Sequence, residues 1–348
     1  MSDFDDFDFV DHYGEAEEAE NANQLDDNVV ECALNCAFVG VGGGGGKLAK
    51  AFLDLGFNKT LLINTTDKDQ PPGVDPKHLV LIPDADGVAK NVEFGKSIFK
   101  QNSAVVEDAL RVKLGKVDWI FVLAGGGGGT GSACFVLDDV FNRYLRSVQG
   151  TGKVFYIMTW PGAQELLNNT ISRNATLLAN DIKRSPHIIL DNERQTKILR
   201  GKVGLINLLP TANNAIAKLI TQTFKLASEK SSIQSFDSKD LERCMAAEGR
   251  MLIGTTMIKD AQSPNLGATI LQNCIKRSPC PGTLEKSKIG ALLLVVPPDM
   301  ADDPSISQHL DAAISYVGGR TETLFSGVYI VENAPGLVAI MLLGGLAK

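Results

Sequence analysis

Two glycine runs hold the residues best suited to chemistry: Gly40-Val41-Gly42 through Gly46-Lys47, and Gly125 through Gly129 followed by Thr130-Gly131-Ser132. Each follows an apolar stretch with strand character and opens a stretch with helical character. Glycine lets backbone N–H groups come close to an anion, and a helix start adds free donors and the positive end of its dipole. The chemistry that suits such loops is the cradling of phosphates. One run alone weighs little, because glycine also serves tight packing of strand on helix; two in one sheet point to a nucleotide.

The first run also satisfies GxGxxG through Gly40, Gly42 and Gly45, the spacing of a dinucleotide-binding turn. The acid that such a fold places about twenty residues further on is missing, since Leu61 to Thr66 holds none and Asp67 comes late. A P-loop is excluded more firmly. Lys47 is followed by Leu48 in place of Ser or Thr, and the position five before Gly46 is Val41.

Positioning these loops requires a sheet, and from Cys32 onward short apolar runs alternate with amphipathic stretches, the pattern of βαβ units. Strands are expected over Ala33–Val41, Thr60–Asn64, His78–Ile82, Asp118–Leu123, Val154–Thr159 and His187–Leu190. Most are apolar on both faces, as strands of a parallel sheet covered on both sides should be. Ile216, Leu219, Ile220 and Phe224 recur at helical spacing and predict a long helix over Leu209–Ser228 with one buried stripe. Beyond it, a helix over Asp240–Glu248, strands near Ile253–Ile258, Gly290–Val296, Val328–Glu332 and Leu337–Leu342, and a helix over Ser307–Val317 form a smaller unit. The expected class is α/β, a Rossmann-like parallel sheet joined by a long central helix to a smaller α+β domain.

With 348 residues, 44% of them apolar and 22% charged, the chain has the makings of a globular protein of two domains. Its longest apolar stretches, such as Ile289–Val296 and Val338–Leu343, fall short of the roughly 18 to 20 residues that span a bilayer, so no membrane insertion is expected. Residues 1–31 hold twelve acids and no Lys or Arg, which is no secretory signal, and a cytoplasmic protein is expected. That segment carries −12 of the net −7, leaving +5 for the rest of the chain. It reads as a disordered linker, too like-charged to collapse alone, whose Phe residues can dock on a protein partner. The 34 Lys and Arg lie outside it with no basic run interleaved with aromatics, so nucleic acid is not an expected partner. Cys32, Cys36, Cys134, Cys244, Cys274 and Cys280 lack CxxC spacing and His partners, so neither a metal site nor a disulfide framework is expected.

The run Gly127-Gly128-Gly129-Thr130-Gly131-Ser132, after Trp119 to Ala124, resembles the signature loop of the tubulin/FtsZ superfamily, with Ala133 where the signature has glycine. In that family the loop wraps the β- and γ-phosphates of GTP. The resemblance extends over nearly all of the chain after Cys32. Gly40 to Gly46 resembles the family's first loop, which approaches the phosphates, with Gly42, Gly43 and Gly44 as the implied contacts, and Lys47 stands where FtsZ has an asparagine near the base. Asn64-Thr65-Thr66-Asp67 resembles the second loop, and the segment from Asn91 to Lys96 resembles the one that senses the γ-phosphate, without the glycines that precede it in the family. Thr159 to Glu165 is similar to the stretch that puts a glutamate at the ribose, with Asn169 replacing an arginine. Asp191-Asn192-Glu193 resembles a tubulin triplet whose asparagine contacts guanine; Asn213, one turn after Leu209, falls where the second base-reading residue should. The plainer role for Asn213 is a helix cap near Pro210. Ser235 to Asp240 resembles the loop that reaches into the neighbouring subunit's nucleotide site, with Ser235 replacing an asparagine. The resemblance implies that its two acids, Asp237 and Asp240, at i and i+3 on a helix start, orient and partly deprotonate an attacking water there; the plainer role open to Asp237 is a helix cap.

The resemblance implies a GTP-binding domain over 32–208, a central helix and following loop over 209–235 and a C-terminal activation domain over 236–348. It implies GTP or GDP as ligand with Mg2+ accompanying it, and head-to-tail self-assembly in which Asp237 and Asp240 complete the next subunit's site. The chain as given stops at Lys348, without the linker peptide of FtsZ or the helices and acidic tail of tubulin, and is similar in plan to the divergent plasmid and phage tubulins. Two alternatives stay open: a non-hydrolysing scaffold of the same fold, and a dinucleotide-dependent oxidoreductase.

Overall fold

The computed structural model describes residues 24–83, 85–282 and 286–346. Strands β1 (Cys36–Val41), β2 (Thr60–Asn64), β3 (Leu79–Leu81), β4 (Trp119–Gly125), β5 (Val154–Trp160) and β6 (Pro186–Asp191) precede β7 (Gly249–Ile258), β8 (Ser287–Val296), β9 (Thr321–Ile330) and β10 (Leu337–Leu346). All ten join in one sheet, ordered β3-β2-β1-β4-β5-β6-β7-β10-β8-β9. Parallel pairing runs from β3 to β7, and β10 lies antiparallel to both β7 and β8. The two expected units therefore share a seam, three residue pairs from Pro186↔Gly249 to Ile188↔Met251.

Successive residues of a strand face opposite sides, so each central strand divides between two cores. Phe38, Trp119, Phe121 and Phe155 enter one core, and Val39, Ile120, Val122 and Tyr156 the other. This is why the sequence shows unbroken apolar runs there in place of alternation. Helices follow in chain order: α1 (Gly42–Leu53), α2 (Val92–Gln101), α3 (Ser103–Lys113), α4 (Gly129–Ser132), α5 (Asp138–Ser147), α6 (Ala163–Leu166), α7 (Asn169–Ile182) and α8 (Asn192–Leu199). Then come α9 (Leu208–Leu226), α10 (Ser238–Met245), α11 (Leu266–Arg277), α12 (Pro298–Ala301) and α13 (Ile306–Gly318). Helix α9 buries the stripe read from the sequence, Ile216, Leu219, Ile220 and Phe224, against α1 and α8. Phe38 stacks on Phe52 at 3.9 Å between ring centres, and Phe121 meets Phe224 at 5.5 Å, tying β1 and β4 to the helices above them. Among the described residues no helix is long and apolar enough to cross a membrane.

The parallel strands fix two edges. Val41, Gly125, Trp160 and Asp191 end their strands side by side on the carboxyl edge, while Cys36, Trp119, Val154 and Pro186 begin them on the amino edge. At roughly 3.3 Å per residue, six- and seven-residue strands separate these edges by about 20 Å.

The acidic segment expected over 1–31 needs a correction. Residues 1–23 lie outside the described residues, but 24–31 are packed on the body. The Leu25 side chain is buried and its N–H donates to Lys113 O at 2.9 Å. Asp26 pairs with Lys77 at 2.8 Å and Asp27 with Lys59 at 2.6 Å. The Lys77 ammonium, by donating to Asp26, holds that carboxyl below the ordinary aspartate value. Asn28 accepts from Lys59 N and donates to Cys36 O. The like charge that argued for a solvated chain meets lysines contributed from 30 to 50 residues away. Leu25→Ala is expected to lower unfolding free energy by about 2 to 3 kcal/mol in urea titrations, as for other buried leucines. A change within about 0.5 kcal/mol, typical of surface sites, would mean that this arm does not pack in solution.

Candidate functional site

The two glycine runs meet on the carboxyl edge. Helix α1 begins at Gly42, directly after β1, with a φ of 71° that suits glycine. A Cβ there would lie 2.9 Å from Gly131 N, and one on Gly44 would lie 3.2 Å from Gly125 Cα. A Cβ on Gly45 would run into the Leu123 carbonyl. The first turn of α1 is thus pressed against β4 and its loop, backbone to backbone. Much of the run serves this contact. Gly44 and Gly128 remain exposed, and nothing lies within 4 Å of a Cβ built on Gly128.

The helices after the strands divide into two kinds. Asn91 caps α2 by accepting from Phe94 N, Glu165 closes the start of α6 by accepting from Gly162 N at 2.9 Å, and Asp191 caps α8 by accepting from Glu193 N and Arg194 N. Neither α1 nor α4 has a side-chain cap or an acid in its first turn. The glycine-led starts are the ones that leave donors for an anion.

Side chains hold the second loop in shape. The Thr130 and Thr65 hydroxyls share a hydrogen bond of 2.8 Å, and Ser132 Oγ donates to Gly126 O at 2.9 Å. Asn174 Nδ2, from α7, donates to Gly127 O at 3.3 Å and to Lys90 O at 2.9 Å, clasping this loop to the one before α2. That neighbouring loop is strained: Ala89 and Lys90 hold φ of 46° and 64°, where the family resemblance calls for glycine. Such conformations cost roughly 1 to 3 kcal/mol and persist only when neighbours impose them.

Other candidates sit around this edge. Asn64 is buried, accepting from Thr65 N and donating to Asp69 at 2.6 Å. The Asp69 carboxylate lies where a side chain on Gly43 would be, over the start of α1. Asn192 opens α8 half-buried, and Asn213 is half-buried on the first turns of α9, with Leu209 exposed one turn earlier. Lys47 is exposed on α1. Leu167, Leu205 and Ile206 leave an apolar rim in the open, at 77%, 86% and 89% exposure. Thr65, Asp69 and Asn174 were not singled out from the sequence as ligands or clasps. Thr65 lies inside the segment from Asn64 to Asp67 that resembles the second loop, whereas nothing in the spacing marks Asn174.

Asp237 and Asp240 lie apart from all of these. Helix α9 spans about 28 Å at 1.5 Å per residue, and its last turn reaches the amino edge, where Ala33 N donates to Phe224 O. Helix α10, packed on β8 and β10, ends there as well, with Lys153 Nζ donating to Ala246 O just before β5. Between them Phe236 is fully buried and its backbone is held by the Tyr329 hydroxyl. Asp237 caps α10, accepting from Lys239 N at 2.8 Å and Asp240 N at 3.0 Å. Asp240 makes no such commitment. Burial raises its carboxyl above the ordinary aspartate value, and the charge of Asp237 adds to the effect. Among the described residues no group of three His, Cys, Asp or Glu is arranged to hold a metal ion.

A doubly wound parallel sheet, its carboxyl edge lined by glycine-led helix starts and a long helix leading to a second sheet region, is the architecture of the tubulin/FtsZ superfamily, and the chain has that fold. No protein-family model matches the chain, and no curated protein matches it. The likeness comes from solved structures. CetZ2 from Haloferax volcanii, a GTPγS-bound protofilament, superposes with a TM-score of 0.73 at 21% identity, covering 90% of this chain and 94% of that one. TubZ of Bacillus thuringiensis serovar israelensis, a GTPγS-form protofilament, gives 0.74 at 15% identity over 94% and 90%. An empty FtsZ dimer from M. jannaschii gives 0.65 at 18% identity over 90% and 89%.

The glycines separate into two kinds that substitution can tell apart. Gly45→Val is expected to abolish cooperative folding, because the new side chain collides with backbone in the sheet. Gly128→Val, in open space at ordinary φ, should keep its unfolding free energy from urea titration within about 0.5 kcal/mol of wild type. A strongly destabilised Gly128→Val protein would show that this loop too is a packing device.

Proposed function

We propose that this chain binds GTP on the carboxyl edge, assembles head to tail, and hydrolyses the nucleotide with acids supplied by the next copy. The glycine loops Gly42 to Gly44 and Gly127 to Ser132 take the phosphates, using backbone donors that no side chain caps. Asn64, Asn91 and Glu165 border the phosphate and ribose region. Asn192 and Asn213 offer carboxamides to the polar edge of the base, with Leu209 and Lys47 beside it. Mg2+ accompanies the nucleotide, neutralising phosphate charge. The nearby oxygen donors, Asp69 and the Thr65 and Thr130 hydroxyls, suit a hard cation that keeps water and phosphate oxygens as its other ligands.

The observation that carries the reading is the separation of the acids from the loops. Asp240, half-buried with a raised carboxyl, is suited to accept a proton from water, yet it lies on the far edge from the donors. Stacking one copy's amino edge on another's carboxyl edge joins the two halves. A contact of this heterologous kind propagates as a filament. The open apolar rim of Leu167, Leu205 and Ile206 supports a contact at that edge.

Protection and turnover test this together. GTP is expected to raise the melting temperature more than ATP, and Asn213→Ala should shrink the difference. Asp240→Ala should keep GTP protection while phosphate release falls at least tenfold. Equal protection by ATP and GTP would remove the guanine assignment. An Asp240→Ala protein with full turnover would favour a scaffold or another catalytic group.

A further inference from the structure

The amino edge also carries a shallow, open cleft of about 410 Å3 whose lining includes none of the residues assigned above. Lys183 and Arg184, between α7 and β6, line it together with Lys286 and Lys288 at the start of β8; Glu248 and Glu322 are the acids present. All four cations are exposed, and among the described residues none of them is paired with an acid. Four positive charges against two negative ones, gathered around one shallow depression, attract an anionic partner.

The same edge shows which partner fits. Asp26 and Asp27 are already paired there, with Lys77 and Lys59. Upstream of them, residues 1–23 hold nine further acids and no Lys or Arg. Gln24 lies against Gly115, just ahead of β4. In the sheet order β6 is two strands from β4 and β8 is five, which at about 4.8 Å per strand puts the cleft roughly 10 to 24 Å away. At up to about 3.3 Å per residue, 23 residues are long enough to reach it. The tether spans the distance, and tethering raises the effective concentration of the acids at the cleft to the millimolar range.

We infer that the acidic residues 1–23 dock in cis on this cationic cleft. The docked segment continues the acid-to-lysine pairing begun by Asp26 and Asp27.

Zero-length carbodiimide coupling of carboxylates to lysines, applied to the full chain as an equal mixture of light and 15N-labelled protein, reads the contact directly. The expected products join acids of residues 1–23 to Lys183, Lys286 or Lys288, within light–light and heavy–heavy pairs. Adding 1 M NaCl, where the Debye length is about 3 Å, should suppress them. The exposed double substitution Arg184→Glu with Lys286→Glu should reduce links to Lys183 and Lys288 at least fivefold while the melting temperature is unchanged. Links from residues 1–23 scattered over other lysines would overturn the inference, as would light–heavy links in random proportion. Links to Lys183 and Lys288 that survive the charge reversal would overturn it too.

Discussion

The constraint on which the site depends is the contact between two backbones, the first turn of α1 and the end of β4 with its loop. A Cβ at Gly45 has no room beside the Leu123 carbonyl, and Gly44 and Gly125 face each other without side chains between them. Only this absence of side chains lets the starts of α1 and α4 converge. Their first-turn donors point to one region and find no cap, whereas α2, α6 and α8 use Asn91, Glu165 and Asp191 for that purpose. The polar clasps of Asn174 and the Thr65–Thr130 pair then hold in place a loop that has no side chains of its own to pack.

The same sheet that gathers the donors keeps the acids away. Helix α9 carries the chain from the carboxyl edge to the amino edge, and Phe236, locked under Tyr329, sets the start of α10. The seam between β6 and β7 joins the two regions in one sheet. On the proposed reading, a site built on both edges is complete only between copies. The likeness to CetZ2 and TubZ protofilaments is a likeness of fold; the assembly reading rests on the placement of donors and acids.

Much of this was legible in the residues. The apolar runs located β1, β2, β4, β5 and β6 within a few positions because burial on both faces leaves an unbroken signal, and the stripe of α9 did the same at helical spacing. His78 was read into β3 but sits in a short turn, its ring Nδ1 paired with Thr60 O at 2.8 Å. The glycine runs marked the edge, since their spacing is local. What the sequence hid was tertiary. Leu25, Asp26 and Asp27 looked like part of a solvated acidic stretch because the lysines that pair with them lie far along the chain. Asn174 is one of many asparagines until its position on α7 brings it between two loops, and Ala89 and Lys90 give no hint of positive φ because their conformation is imposed from outside. Asp237 caps α10, the plainer of the two roles open to it, and the cap leaves Asp240 as the freer acid.

The central claim is that loops and acids act only when they belong to different copies. Its most direct measure is phosphate release per subunit as a function of protein concentration at saturating GTP. The account predicts almost no turnover below a threshold concentration and a steep rise above it, coincident with the appearance of sedimentable polymer. Turnover per subunit that stays constant from dilute to concentrated protein would contradict it.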